Sequence, residues 1–221
     1  KRQFMKVGIV GNGFVGSAML HGFILHVDDV LIYDKSPQRS THSLQEVVKQ
    51  SNVIFLCVPT PMFESGECDL SIVESVVSEI GTYQDREKLE SNPLIDSQVI
   101  VIKSTVVPGT VEKLSEKFKD MNLVFNPEFL TERKARLDFI NTSRIVLGGE
   151  EKDLDVVEEL YRIRFPYTKV IRTDLATAQL IKYMANCFFA TKVSFMNEMY
   201  EVCESVNGDW NKALEGFITD G

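Results

Sequence analysis

Gly11, Gly13 and Gly16 stand at G-x-G-x-x-G spacing, and Asp34 follows about 20 positions later. Each glycine in that pattern has its own physical reason. Gly11 permits a tight turn, Gly13 lets the backbone approach a pyrophosphate with no Cβ in the way, and Gly16 lets the next helix pack closely on the preceding strand. Asn12, Phe14 and Val15 complete the turn and the helix start, whose free N–H groups and positive dipole end suit phosphate. A carboxylate at Asp34 accepts from a ribose 2′-hydroxyl and repels a 2′-phosphate, which favours NAD over NADP. Lys35 and Arg39 beside it weaken that preference without reversing it. An aspartate that only turns or caps the chain is the alternative for Asp34.

Four further constellations follow. Pro59-Thr60-Pro61 ends an apolar run that begins with Val58 and its predecessors, so Thr60 falls at the carboxyl edge of a sheet, where ligands of open α/β folds collect; a rigid turn is the plain alternative. Ser104 and Thr105 lie between a strand end and Pro108, which has the look of a first-turn helix proline. Glu128 and Glu132 are four apart, so a helical turn would put both carboxylates on one side, where they repel unless solvated or used. Lys182 and Asn186 are polar, four apart, and set in an otherwise apolar helical pattern.

The elements that must position these groups are legible. Apolar stretches at 7–10, 30–34, 53–58, 98–102 and 123–125 read as strands, and the uninterrupted 53–58 run as a parallel strand covered on both faces. Between them the pattern predicts helices after Gly16, over 43–50 with Ser43 and Glu46 as a capping box, and from 69 to about 83, with 84–96 as polar surface. Another strand at 144–148, a helix over 152–164 and a strand at 168–172 complete this part. Asp174 then caps a long helix to about 206, apolar at 178, 181, 185, 188, 195, 199, 202 and 206. A helix apolar over so much of its circumference is buried on several sides or in a partner subunit. Asp209 caps a last short helix over 210–217.

The 221 residues carry 24 Lys+Arg against 32 Asp+Glu, a net charge of −8, with no basic run long enough for a nucleic-acid surface. No apolar run reaches membrane-spanning length, and the chain enters its first strand with no room for a signal peptide, so a cytoplasmic protein with no membrane partner is expected. Cys57, Cys68, Cys187 and Cys203 are scattered, and no metal site or disulfide framework is indicated.

Five motifs in order, Gly11-Asn12-Gly13-Phe14-Val15-Gly16, Val58-Pro59-Thr60-Pro61, Lys103-Ser104-Thr105-Val106-Val107-Pro108-Gly109-Thr110, Asn126-Pro127-Glu128-Phe129-Leu130-Thr131-Glu132 and Leu180-Ile181-Lys182-Tyr183-Met184-Ala185-Asn186, resemble the UDP-glucose/GDP-mannose dehydrogenase family. The stretch from Ala190 to Glu198 looks most like its UDP-glucose-oxidising branch. The resemblance implies an α/β fold, with a Rossmann-like, mostly parallel doubly wound sheet over 1–173 followed, from 174 to 221, by the long helix of a helical central domain. It implies a homodimer through the 174–206 helix. It also implies oxidation of the C6 alcohol of a nucleotide sugar, UDP-glucose foremost, to the uronate by two NAD. By analogy Glu128 is a general base acting through water, Lys182 stabilises the alkoxide and later oxyanion, Asn186 helps hold that oxygen and Thr105 positions a water. Phe129 and Leu130 join Glu128, Lys182 and Asn186 against the substrate. Lys35, Val58, Pro59, Thr60, Ser104, Thr105 and Glu132 join the glycine turn and Asp34 against the cofactor or adjoining sugar.

Two departures from the family pattern stand out. Between Asp34 and Val53 there is too little chain for the family's additional strand and helix, so the sheet should lack one edge strand. The family's nucleophilic cysteine, in a Gly-Gly-x-Cys-Phe-Pro-Lys-Asp type setting, has no counterpart; Cys187 adjoins Asn186, but in a helix it points roughly 100° away. That motif would follow shortly after Gly221, so a longer protein is expected. Two other readings stay open: a 3-hydroxyacid or 6-phosphogluconate type dehydrogenase, against which the Pro-Thr-Pro and Asn-Pro-Glu-Phe-Leu motifs argue, and an NAD-binding or dimerisation module without catalysis.

Overall fold

Strands that are apolar at every position need cover on both faces, and the chain supplies helices to both. A computed structural model describes residues 5–219. In order they form β1 (Lys6–Val10), α1 (Phe14–Phe23), β2 (Asp29–Tyr33), α2 (Leu44–Gln50), β3 (Val53–Leu56), α3 (Ser71–Leu89), β4 (Val99–Ile102), α4 (Thr110–Lys117) and β5 (Asn122–Phe125). Then come α5 (Ala135–Ile140), β6 (Arg144–Gly148), α6 (Glu151–Arg164), β7 (Lys169–Thr173), α7 (Leu175–Ser205) and α8 (Trp210–Thr219). The strands make one sheet in the order β2-β1-β3-β4-β5-β6-β7. Every pairing is parallel except β5 with β6, which meet at Phe125 and Gly148. The expected doubly wound, mostly parallel sheet is present.

Side-chain alternation divides the core in two. Val53, Phe55, Val99, Val101 and Val124 face α1, α5 and α6, where Phe23, Phe139 and Tyr161 make an aromatic cluster with Phe55. Ile54, Leu56, Ile100, Ile102 and Leu123 face α2, α3, α4 and the first turn of α7. Because β1 to β5 run parallel, their carboxyl ends all emerge at one edge.

As the shortness of the 34–53 segment implied, β2 is an edge of the sheet, with only a single 3-10 turn and α2 between it and β3. The donors along that edge are met by side-chain oxygens. The N–H of Val30 donates to Asp29 Oδ1 (2.9 Å), that of Ile32 to Thr41 Oγ1 (3.0 Å) and that of Asp34 to Ser40 Oγ (2.7 Å). The carbonyl of Ile32 accepts from the N–H groups of Thr41 and His42.

Three expectations need correction. Residues 84–96 are not simply polar surface: α3 continues to Leu89, and Gln84 and Glu87 are buried. The helix reaches a polar pin, in which Gln84 Nε2 donates to Gln98 Oε1 (2.9 Å) while Gln98 Nε2 donates to the carbonyls of Val48 (2.7 Å) and Ser51 (2.5 Å). Pro108 is not in the first turn of α4, because Gly109 is its N-cap, at φ 93°, and Pro108 sits in the preceding turn. Glu128 and Glu132 do not share a helical turn, since the chain is non-helical until the 3-10 turn Glu132–Lys134, and the Glu128 carboxylate accepts from the Leu130 N–H within its own loop. The capping box at Ser43 and the Asp174 cap, which accepts from Thr177 N–H at 2.7 Å, are as expected.

The chain falls into two compact units, one up to Lys182 and one from Tyr183, so α7 contributes to both. In the second unit Asn207, at φ 55°, ends α7 with Gly208 N–H donating to the Cys203 carbonyl, and Trp210 meets Tyr200 edge to face at 5.3 Å.

Replacing Gln98 by Leu leaves the Gln84 amide and two buried carbonyls without their partner, and should destabilise the fold by roughly 2–4 kcal/mol. Urea titration should show a lower midpoint at unchanged slope.

Candidate active site at the carboxyl edge of the sheet

The loops leaving β1, β2, β3, β4 and β5 enclose a groove of about 480 Å³. The glycine turn forms its floor. Gly11 has φ 96°, and a Cβ there would lie 2.6 Å from the Cys57 carbonyl oxygen; a Cβ on Gly16 would lie 2.0 Å from the Gly11 carbonyl oxygen. A Cβ on Gly13 would meet nothing within 4 Å, so that position faces open space. Helix α1 starts at Gly13 with no side-chain cap and no acidic residue in its first turn, so its N-terminal N–H groups and dipole remain available to an anion.

Asp34 is held where the strand order puts it, one strand over from the turn. Its Oδ2 accepts from Asn12 N–H (2.8 Å) and its Oδ1 from Ser36 N–H (2.9 Å), while Asn12 Nδ2 donates to the Arg39 carbonyl. Asn12 Oδ1 is buried with no partner. An open position at Gly13, uncapped helix N–H groups, a neighbouring carboxylate and an unsatisfied buried acceptor are what a dinucleotide's phosphates and ribose hydroxyls need, and these residues fit one.

Gly11, Gly13, Phe14, Val15, Asp34, Lys35, Val58, Pro59, Thr60, Ser104, Thr105 and Glu128 all line the groove. The hydroxyls of two of them tie loops together: Thr60 Oγ1 donates to the Thr105 carbonyl (2.7 Å) and Ser104 Oγ to the Val58 carbonyl (2.7 Å). Their protons are committed, which leaves their lone pairs as acceptors. Gly16 and Asn12 shape the turn from behind. Glu132 lies on its 3-10 turn outside the groove lining, and Asn186 belongs to the second unit, exposed on α7.

At the far end of the groove Glu128 is paired with Lys182. The Nζ of Lys182 is 2.9 Å from Glu128 Oε1 and 2.5 Å from the Glu128 carbonyl oxygen, with the two side chains only 5% and 11% exposed. The other carboxylate oxygen accepts from Leu130 N–H at 2.7 Å. A buried ion pair with its remaining lone pairs satisfied keeps its geometry, because separating it would strand a charge out of water. Phe129 stands beside it, its ring centroid 5.6 Å from Lys182 Nζ and 4.1 Å from the Arg144 guanidinium.

Several groove residues escaped the sequence reading. Ile72, Val76 and Glu79 line it from α3, at i, i+4, i+7 spacing that for the first two reads equally as core. Tyr33, Cys57 and Lys103 also line it. Burial pushes the Cys57 thiol up to about 12, countered in part by Lys103. Burial also pushes Lys103 down to about 8, with Cys57 and Glu128 opposing and Lys182 adding to the effect.

Gly13→Ala should leave the urea midpoint within error yet weaken NAD binding at least tenfold, whereas Gly16→Ala should destabilise the fold by 2 kcal/mol or more, at the upper end of ~1–3 kcal/mol for overpacking. For Lys103 the folded value is below the unfolded ~10.4, so between about 8 and 10.4 the unfolded chain binds more protons. Stability relative to Lys103→Met should therefore rise with pH through that window, by ~1.4 kcal/mol for each pH unit crossed. Paired urea titrations at pH 7.5 and 10 measure it.

Residues 37–164 match the NAD binding domain of the UDP-glucose/GDP-mannose dehydrogenase family, and residues 176–221 match that family's central domain. The glycine turn and Asp34 lie just ahead of the first match. UDP-glucose 6-dehydrogenase TuaD of Bacillus subtilis is 37% identical over 189 residues, covering 81% of this chain and 38% of the relative. UDP-glucose 6-dehydrogenase of Rickettsia bellii is 37% identical over 188 residues, covering 81% of this chain and 41% of the relative. The solved ternary complex of GDP-mannose dehydrogenase from Pseudomonas aeruginosa superposes with a TM-score of 0.82 at 26% identity, over 97% of this chain and 57% of that one. The chain thus spans about two fifths of these curated relatives and a little over half of the solved one. With the family's NAD binding domain matched over more than half of its length, and with the groove just described at the edge of that domain's sheet, the chain belongs to the UDP-glucose/GDP-mannose dehydrogenase family.

Proposed function

We propose that the protein is an NAD-dependent nucleotide-sugar 6-dehydrogenase whose substrate is UDP-glucose, working in the cytoplasm. The observation that carries this reading is the buried Glu128–Lys182 pair at the end of a groove that also holds the glycine turn and Asp34. The glycine turn and Asp34 would hold NAD, the turn its phosphates and Asp34 its ribose hydroxyls, and NAD would supply the hydride acceptor for the sugar's C6.

The residues around the pair account for the remaining demands. A C6 hydroxyl that loses hydride must also lose a proton, and the Glu128 carboxylate takes it through a water held by Thr105. While the proton leaves ahead of the hydride the oxygen has alkoxide character, and Lys182, an ammonium screened from bulk water, stabilises that charge far more than an exposed lysine could, until loss of the hydride leaves the neutral carbonyl of the aldehyde. Phe129 and Leu130 flank the sugar, and the family resemblance assigns Asn186 to the same oxygen. Ser104, Thr60 and Lys35 act on the cofactor, with Glu132 at the adjoining sugar. Oxidation beyond the aldehyde uses a cysteine thiolate as nucleophile in this family's chemistry. Among the described residues Cys57 is the cysteine in the groove, and burial holds it as the thiol.

Helix α7 supports a homodimer. In the second unit Met184, Phe188, Phe189, Val193 and Val202 are more than half exposed, an apolar surface that a second copy would cover. No helix among the described residues is long and apolar enough to cross a membrane.

The test is the NADH yield per UDP-glucose: two supports the full oxidation, one an enzyme that stops at the aldehyde, and none with intact NAD binding a binding module. Lys182→Ala should lower turnover about 10²–10³-fold with NAD affinity unchanged; retained turnover would remove the oxyanion role.

A further inference from the structure

Beneath the Glu128–Lys182 pair lies a second lysine that the reaction does not use. Lys103, at the end of β4, is 5% exposed, and its hydrogen-bonding partners are neutral oxygens. Its Nζ is 2.8 Å from Asn126 Oδ1, 3.4 Å from the Asn126 carbonyl oxygen and 3.5 Å from the Tyr161 hydroxyl. Asn126 is itself fixed: its Nδ2 donates to the Val146 carbonyl (2.7 Å), so its Oδ1 must face Lys103 and the Tyr161 hydroxyl, which donates to it at 2.5 Å. One residue of rigid proline separates Asn126 from Glu128, whose carbonyl and carboxylate are both held by Lys182. Two ammonium groups therefore grip the two ends of Asn126-Pro127-Glu128, Lys103 from the core and Lys182 from α7.

We propose that Lys103 is a positioning residue for Glu128: its charge, through Asn126 and Pro127, sets the loop that carries the carboxylate, and losing that charge loosens the loop. A buried ammonium bonded to amide and hydroxyl oxygens makes charge-assisted bonds about twice as strong as those of the neutral amine. Four groups face it. Glu128 after β5 favours the charge and Lys182 on α7 opposes it, while Cys57 after β3, held as the thiol, brings no charge and Tyr161 on α6, whose own hydroxyl burial holds neutral, contributes only its hydrogen bond. Burial outweighs Glu128 and brings the deprotonation into the mildly alkaline range. The catalytic consequence rests on the proposed role of Glu128, whereas the positioning itself does not.

The experiment is therefore one that needs no turnover. Hydrogen exchange at the Leu130 amide, which donates to Glu128 Oε2, reports whether the loop is held. After correction for the intrinsic rate, protection in the unaltered protein should fall about tenfold between pH 7 and 9.5. Lys103→Met should show the weakened protection at both pH values, and Tyr161→Phe, which keeps the ammonium, should retain the step. Protection that is independent of pH in the unaltered protein overturns the proposal, and so does a step that survives in Lys103→Met. If Lys103→Met does not fold, the profiles of the unaltered protein and Tyr161→Phe decide between the same outcomes.

Discussion

Between the Gly11 carbonyl and the backbone of Gly16 there is no room for a carbon atom, and much of the structure depends on that closeness. With α1 pressed against the end of β1, the helix axis points its N-terminus over the carboxyl edge of the sheet, and the turn is free to face outward at Gly13. The parallel strands then do the rest. Each of β2, β3, β4 and β5 delivers its following loop to the same edge because it runs in the same direction as β1. Residues far apart in sequence, from Gly11 to Glu128, meet in one groove for that reason alone.

Polar groups inside this molecule serve as fasteners. Gln84 and Gln98 pin α3 and α2 to β4, and Asn126 joins β6 to the loop bearing Glu128. Thr60 and Ser104 stitch adjacent strand ends. Each is a directed bond in a place where an apolar contact would allow sliding, and each left unpaired would cost more than it contributes when made. The site is thus preorganised by bonds that lie mostly beneath it.

The strands and the glycine turn are legible because period and residue type point the same way there: 53–56 and 99–102 are apolar without a break, and the glycines leave few alternatives. The same holds for the caps at Ser43 and Asp174. Legibility fails where a polar residue is buried by a partner distant in sequence. Gln84 and Glu87 look like surface until Gln98, Asn92 and Lys49 are brought beside them. Lys103 and Tyr161 are 58 positions apart, so nothing local marks them as neighbours. Spacing also misleads at Glu128 and Glu132, where a separation of four suggests a helical turn but the Glu128 carboxylate bonds the Leu130 N–H in a non-helical loop instead.

The side-chain oxygens along β2 have one more effect. An open sheet edge is a template for another chain, and here Asp29, Thr41 and Ser40 occupy the donors that an incoming strand would need. Ser40 does so while also donating to the Asp34 carbonyl, at the residue whose carboxylate braces the glycine turn. Protection of the sheet edge and the placement of Asp34 beside the glycine turn therefore draw on the same hydroxyl. A substitution at Ser40 acts on both at once, whereas one at Asp29 or Thr41 touches the edge alone.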